Sequence, residues 1–175
     1  MSASQIAFVM HESTLVPWLT VGENLELEAK LRRCAVPVTE FNRILGALGV
    51  DISRWTKASA LSLGMRQRTE IARAIAFQPE LLLLDEAWSG VDSTTRKAVF
   101  SAIDEFVGTR GAAALLTTHA DFDVLRLADR VYNFRDGVIR MNAECGIPRG
   151  LRIGRSQSSL LTDCDLKELI QGLDM

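Results

Sequence analysis

A run of four leucines at residues 81–84 is the feature of this 175-residue chain that most constrains its fold. An apolar run this short suits a strand whose two faces are both buried, as in parallel sheets. Asp85 and Glu86 follow it directly, residues 94–107 are predicted to form a helix, and residues 112–117 resemble a second buried strand. This order predicts a βαβ unit whose strands pair in parallel through a right-handed crossover.

Helical patterns occupy much of the chain before this unit. Residues 21–33 and 39–48 are each predicted to form a helix. Ser62 can cap a third helix, which runs to about Phe77 and ends before a proline. The remaining predicted elements are a strand at residues 6–10, a short helix at residues 121–128, and a hairpin of residues 131–134 with residues 138–141 around an Asp-Gly turn.

The composition excludes several functional classes. The formal net charge is −2, so no strong field draws the chain to nucleic acid or anionic lipid. The three cysteines are odd in number and widely spaced, which argues against a disulfide framework and a zinc site. No apolar run approaches the roughly 18 residues that span a bilayer, and no export signal is visible. These features predict a cytosolic protein in a reducing compartment.

Asp85 and Glu86 are the first candidates for chemistry. Open parallel sheets bind ligands at the carboxyl ends of their strands, where both residues are expected to lie. Neighbours on a strand point to opposite sides, so Asp85 could serve Mg²⁺ while Glu86 polarises an attacking water. A solvated turn after a strand explains the same two residues, and the pair alone does not decide between these interpretations.

Four other positions have a chemical and a structural interpretation. Ser62 and Gly64 open a helix, whose free N–H groups and partial positive charge can bind phosphate, although a simple cap is the favoured explanation of an isolated Ser-x-Gly. Asp92 can likewise cap the helix that follows it. His119 follows the second buried strand and would share the sheet edge with Asp85, although a lone histidine is more often structural.

Three segments together resemble the ATP-binding domain of ABC transporters. LSLGMRQRTEIARAIAFQPELLLLDEAWSGVD resembles that family's signature helix, Walker-B strand and D-loop. TTHADFDVLRLADRVYNFRDGVI resembles its H-switch and the hairpin after it, and FVMHESTLVPWLTVGENL its Q-loop region. The resemblance implies an α/β fold with an incomplete P-loop NTPase-like parallel sheet core and an ABC-type helical subdomain at about residues 20–77. It places a partial ATP-binding domain at residues 1–141 and a tail with a short helix at residues 142–175.

The resemblance assigns roles within the chain's own nucleotide site, with ATP as substrate and Mg²⁺ as cofactor. Asp85 would serve Mg²⁺, Glu86 would be the general base, and His119 would contact the γ-phosphate. His11 stands where the family has a glutamine that touches Mg²⁺ and the attacking water. Imidazole has a shorter reach and can carry charge, so this substitution puts chemistry at that site in doubt.

The resemblance also assigns contacts to partners. Ser62 and Gly64 would contact the γ-phosphate of a nucleotide held by a second ATP-binding subunit, and Asp92 would couple the two sites. Residues 14–23 would face membrane-spanning subunits, which would place the chain at the cytoplasmic face of a membrane. The Leu-Ser-Leu-Gly-Met signature leans toward exporters and the LVPWLTV segment toward importers, so the direction of transport stays open.

One departure from the family outweighs the others. A P-loop needs a glycine directly before a lysine, and none of Lys30, Lys57, Lys97 and Lys167 follows one. The P-loop and the adenine-stacking aromatic belong to the amino-terminal part of the family, so the sequence is expected to be truncated there. Because the P-loop supplies the main phosphate ligands, we expect weak ATP binding by this chain alone.

Several functional hypotheses remain open at this point. The first is an ATP-hydrolysing transporter subunit whose sequence here is truncated. The second is a non-catalytic partner that lends its signature motif to a complete subunit. The third is the head of a chromosome or DNA-repair ATPase, although the coiled-coil or zinc insertions of those proteins are not seen. The fourth is the remnant of a decaying gene.

Overall fold

The chain divides into two compact units, Met1–Thr117 and Thr118–Met175. The computed structural model describes residues 5–88, 91–118, 128–135 and 138–144. Within this part, the first unit holds a parallel sheet with four α-helices, and the second unit holds a hairpin.

The sheet of the first unit has three parallel strands. They are β1 (Ile6–Val9), β2 (Leu81–Asp85) and β3 (Ala113–Thr117), and β2 lies between the other two. Val9 pairs with Leu84, and Asp85 pairs with Thr117. The parallel pairing of β2 with β3 confirms the predicted βαβ unit, and the carboxyl ends of all three strands lie at one edge.

The four α-helices agree closely with the sequence patterns. They are α1 (Val21–Arg32), α2 (Val38–Ala47), α3 (Leu63–Ala76) and α4 (Ser93–Arg110), with a 3₁₀ turn at Ala58–Ala60. Helix α4 extends three residues past its predicted end at Val107. It closes where Gly111 adopts a φ of +63° and donates its N–H to the carbonyl of Val107 at 3.1 Å, a C-terminal cap that glycine makes without steric cost.

The two faces of the sheet differ in burial. On one face Ala7 and Val9 of β1 and Leu82 and Leu84 of β2 are buried in the core. On the other face a row of Phe8, Leu83 and Leu115 crosses the three strands. The prediction of a buried strand is wrong for this face of β3, since Leu115 is 61% exposed. Leu83 of β2 is half-buried, and Phe8 of β1 is 49% exposed.

The hairpin of the second unit consists of β4 (Arg130–Arg135) and β5 (Val138–Glu144). The two strands pair antiparallel, with Arg135 opposite Val138 and a register shift between Val131 and Tyr132. The predicted hairpin is confirmed and is longer than expected at its open end. The predicted short helix at residues 121–128 lies almost wholly outside the described residues.

Candidate functional site

The carboxyl end of β2 carries the first candidate, Asp85, and a neighbouring strand holds its side chain. The hydroxyl of Thr117, the register partner of Asp85 on β3, donates a hydrogen bond of 2.6 Å to Oδ1 of Asp85. A hydrogen bond to a carboxylate oxygen restricts the rotamer of that side chain. The ends of two parallel strands therefore fix the direction of one carboxylate at the sheet edge.

Glu86 follows Asp85 in a strained conformation. Its φ of +45° lies in the left-handed region, which costs an L-residue roughly 1–2 kcal/mol. The main-chain N–H of Glu86 donates to the carbonyl of Thr117 at 3.2 Å, so the turn begins while the strand pairing is still intact. Strain of this kind concentrates at functional sites, where the surrounding structure enforces it.

The two residues that follow Glu86 in this turn have buried apolar side chains. Ala87 is fully buried, and Trp88 is 2% exposed. The Trp88 ring meets the Phe100 ring of α4 edge to face, with centroids 5.2 Å apart and an interplanar angle of 81°. Trp88 thus anchors the turn after Glu86 to α4 through a favourable aromatic pair.

Ser62 and Gly64 lie at the amino terminus of α3, as predicted. Ser62 is the N-cap, and its hydroxyl accepts the N–H of Met65 at 3.3 Å. Arg68, one turn further, donates to the carbonyls of Leu48 at 2.9 Å and Gly49 at 3.0 Å. Since those carbonyls close α2, the beginning of α3 is fixed against the end of α2.

Asp92 caps α4 in the manner that the structural interpretation required. Its Oδ1 accepts the N–H of Thr95 at 3.0 Å, and its carbonyl accepts the N–H of Arg96 at 2.9 Å. Asp92 is exposed. Its role toward a second subunit stays a prediction.

His11 is exposed in the loop after β1, two residues past the end of that strand. Because Val9 pairs with Leu84, β1 delivers this loop to the sheet edge that holds Asp85 and Glu86. His119 lies outside the described residues. Asp85 and Glu86 thus lie at one edge of the sheet, and the loop that contains His11 begins at the same edge. Ser62 lies elsewhere, at the amino terminus of α3.

The next part of this loop, residues 14–20, is held by two buried side chains that the sequence patterns did not single out. Glu70 of α3 accepts hydrogen bonds from Thr14 and Leu15, and Asn24 of α1 accepts the N–H of Val16 at 2.8 Å. Both side chains are buried, at 1% exposure for Asn24 and 2% for Glu70, and a buried charged or amide group is unusual. For Glu70, its position on the apolar face of α3 is the signal that could have found it.

A capping box follows at the start of α1. The Thr20 hydroxyl accepts the N–H of Glu23 at 3.2 Å, and the Thr20 N–H donates to Glu23 Oε2 at 2.7 Å. The bond from the Thr20 main chain is the chief reason why the pKa of Glu23 lies below its ordinary value of 4.5. The indole of Trp18, by contrast, is 73% exposed in this loop, although the loop backbone is firmly held.

The donors at the sheet edge suit Mg²⁺ in combination with a nucleotide. Mg²⁺ prefers oxygen ligands and is commonly held by one or two carboxylates together with substrate phosphates and water. Asp85, oriented by Thr117, and Glu86 supply such carboxylates. Within the described ranges, no group of three or more His, Cys, Asp or Glu residues could hold a metal ion. The two carboxylates fit a metal that is shared with substrate phosphate.

Comparison with known proteins identifies the relatives of this site. The family model described as ABC transporter matches residues 1–89, which include the Asp85–Glu86 edge and the amino terminus of α3. No described helix is long and apolar enough to cross a membrane.

Curated relatives include ATP-binding proteins of import systems. The chain is 28% identical over 170 residues to the aliphatic sulfonates import ATP-binding protein SsuB of Rhodopseudomonas palustris (strain ATCC BAA-98 / CGA009), covering 97% of this chain and 60% of that protein. It is 33% identical to SsuB of Escherichia coli (strain K12), covering 83% of this chain and 56% of that protein. The nitrate import ATP-binding protein NrtC of a Synechocystis species is 32% identical, over 74% of this chain and 20% of that protein.

A solved structure supports the same fold. The chain superimposes on a protein described as the ATP-binding subunit of an ABC transporter with a TM-score of 0.70 and 24% identity, covering 80% of this chain and 58% of that one. The match confirms the predicted α/β fold with its parallel sheet. The chain spans about three-fifths of the length of the SsuB proteins and of this structure.

Proposed function

Since this chain belongs to the ABC transporter family of ATP-binding domains, we propose that it is a nucleotide-binding subunit that couples ATP hydrolysis to solute transport across a membrane. The observation that carries the proposal is the sheet edge at which Thr117 orients Asp85 and the strained turn presents Glu86. The amino terminus of α3, capped by Ser62, would supply the contact to the nucleotide of a second subunit.

Asp85 and Glu86 would act in this chain's own nucleotide site. Asp85, with its rotamer fixed by Thr117, would hold Mg²⁺, which when bound neutralises phosphate charge. Glu86 would accept a proton from the attacking water, and His119 would contact the γ-phosphate. His11 leaves the sheet edge beside them and would reach the same water less well than the family's glutamine does.

Ser62 and Gly64 would act in the nucleotide site of a second subunit. Their helix end offers main-chain N–H groups and a partial positive charge to a γ-phosphate. Asp92 would lie at the contact between the two subunits. One composite site then works when the second subunit brings its own P-loop, because the P-loop and the signature motif of one site come from different subunits.

Residues 14–23 would contact the membrane-spanning subunits and so hold the chain at the cytoplasmic face of the membrane. The exposed Trp18 on a firmly held backbone suits such a docking role. The relatives are import proteins by name, which favours import as the direction of transport.

The native complex tests the proposal. We would tag this chain, isolate it with its partners, and measure ATP hydrolysis by the complex and by the chain alone. We expect the complex to be active and the chain alone to be at most weakly active. Robust hydrolysis by the chain alone that is lost in Glu86→Gln would contradict the composite site.

Substitutions in the complex separate the two sites. Ser62→Arg is expected to abolish hydrolysis at the partner's nucleotide, whereas His11→Ala removes a side chain of the incomplete site and leaves most activity. Ser101→Arg is the matched control, because it makes the same substitution at an exposed position of α4 that has no role in either nucleotide site. Equal losses from Ser62→Arg and His11→Ala would be incompatible with this assignment.

A further inference from the structure

Glu70 is a buried carboxylate that the nucleotide site does not use. It lies in the middle of α3 and is 2% exposed. A charge taken out of water costs free energy unless it is well paired, so its position needs an explanation.

The partners of Glu70 lie in the loop after β1. Its Oε1 accepts the main-chain N–H groups of Thr14 and of Leu15, the latter at 3.0 Å. The Thr14 hydroxyl donates to the same oxygen at 2.8 Å and accepts a hydrogen bond of 2.7 Å from Arg73, one turn along α3. Glu70 and Arg73 of α3 therefore both form hydrogen bonds with Thr14 of the loop.

Stability alone does not account for this arrangement. Oε2 of Glu70 is buried and has no hydrogen-bond partner among the described residues, and the nearest guanidinium nitrogen of Arg73 is 4.0 Å from Oε1. A buried acceptor without a partner is destabilising, and a well-packed apolar residue often serves stability as well or better. What Glu70 provides is the connection between α3 and the loop, since no apolar side chain could accept hydrogen bonds from two consecutive N–H groups.

We propose that Glu70 is a positioning residue that couples the docking loop, residues 14–20, to the signature helix α3. The inference rests on the proposed function, in which this loop meets the membrane-spanning subunits and Ser62 meets the partner's nucleotide. Ser62 lies eight residues before Glu70, or about 12 Å along a helix axis. A displacement of the loop by the membrane subunits is thereby passed to α3 and moves Ser62 relative to the γ-phosphate.

The link itself is tested first on the full chain by amide hydrogen exchange. We expect Glu70→Ala to speed exchange at Thr14 and Leu15 at least tenfold, while the amides of α3 keep their protection. Glu105→Ala is the matched control, since it removes an exposed glutamate that pairs with Arg43 on the surface. Unchanged exchange at Thr14 and Leu15 in Glu70→Ala would overturn the proposal.

The coupling is tested next in the complex, as the ratio of ATP hydrolysis with and without the membrane-spanning subunits. Glu70→Ala is expected to bring this ratio close to one while hydrolysis by the ATP-binding pair stays within twofold. Thr14→Val is expected to lower the ratio as well, whereas Thr14→Ser, which keeps the hydroxyl, is expected to leave it at the wild-type value. A merely structural role would lower both activities together and would not be rescued in this way.

The outcomes separate this inference from the function on which it rests. If Glu70→Ala keeps the wild-type ratio of ATP hydrolysis with and without the membrane-spanning subunits, although exchange at Thr14 is fast, the coupling is refuted and the transporter function is not. No ATP hydrolysis by the wild-type complex would refute the transporter function. The exchange experiment on the chain alone would then decide whether Glu70 holds the loop.

Discussion

Thr117 and Asp85 face each other across β3 and β2, and the Thr117 hydroxyl donates to the Asp85 carboxylate at 2.6 Å. This contact fixes the carboxylate that the proposed function assigns to Mg²⁺. Its strength can be measured by mutation, because either side chain can be changed without altering the main-chain pairing of β2 with β3.

A double-mutant cycle measures the strength of this contact. We expect Thr117→Val and Asp85→Ala to show a coupling energy of about 1 kcal/mol in urea unfolding, the usual net value of such a bond. Thr117→Ser keeps the hydroxyl and is expected to retain most of that coupling. A coupling energy near zero would mean that water competes successfully for Asp85.

The turn at Glu86 gives a second prediction, on stored strain. Glycine avoids the steric cost of a positive φ, roughly 1–2 kcal/mol, but loses about 0.5–1 kcal/mol more entropy on folding. We expect Glu86→Gly to raise the free energy of unfolding by up to about 1 kcal/mol. Arg33→Gly is the control, because Arg33 has a φ of +54° at the end of α1 and no place in the site.

Thermal and urea unfolding of both variants check this prediction. A rise for Arg33→Gly with a fall for Glu86→Gly would show that contacts of the Glu86 side chain outweigh its backbone strain. A rise for both would indicate that the protein keeps a strained glutamate at this turn at the expense of stability, as expected of a functional residue.

The local elements were predictable because their signals lie within short stretches of sequence. Ser62, Phe77 and the following proline bound α3, and the leucine run defined β2 together with its pairing to β3. Parallel pairing then placed Asp85 and Glu86, by topology alone, at the carboxyl edge of the sheet, where open parallel sheets generally bind ligands.

The contacts that complete the site were not predictable in this way. Glu70 and Thr14 are 56 residues apart, and neither belongs to a pattern that implies the other. The bond from Thr117 to Asp85 depends on a strand register that the sequence does not encode by itself. The exposure of Leu115 depends on which chain segments cover the sheet, whereas the apolar pattern of β3 shows only that the strand suits burial.

The uncovered sheet face gives a third prediction. Leu115→Thr is expected to change the free energy of unfolding by less than about 0.5 kcal/mol, because Leu115 is 61% exposed. The same substitution at Leu84, which is 1% exposed, removes core packing and buries a hydroxyl, at a cost of at least about 2 kcal/mol. Comparable losses at both positions would mean that another segment covers the row of Phe8, Leu83 and Leu115.

The same row is an exposed apolar patch, so it should also promote self-association. We expect sedimentation velocity to show concentration-dependent association of the chain that Leu115→Thr reduces. Tyr132→Thr is a control, since it removes an exposed aromatic residue on β4 of the second unit. If Tyr132→Thr reduces association as strongly as Leu115→Thr, the sheet face is not its cause.

The capping box of α1 gives a prediction on pH. The bonds from Thr20 hold the pKa of Glu23 below its ordinary value of 4.5, so the folded state favours the ionised carboxylate. This contribution to stability is complete above that value and is lost as the pH falls through the lowered pKa. The difference in unfolding free energy between the wild-type chain and Glu23→Gln should therefore shrink from neutral pH to about pH 3.

Urea unfolding of the two proteins across this range makes the measurement. The comparison with Glu23→Gln is necessary because the pKa of Glu40 is also lowered, chiefly by a hydrogen bond from Arg43, and both carboxylates make the wild-type chain lose stability in acid. The difference in unfolding free energy between the wild-type chain and Glu40→Gln, a substitution in the first turn of α2, should shrink with falling pH in the same way. Only Glu23→Gln should also speed amide exchange at Thr20, since its carboxylate accepts that N–H at 2.7 Å. A difference between wild type and Glu23→Gln that stays constant down to about pH 3 would show that the capping box does not depend on the charge of Glu23.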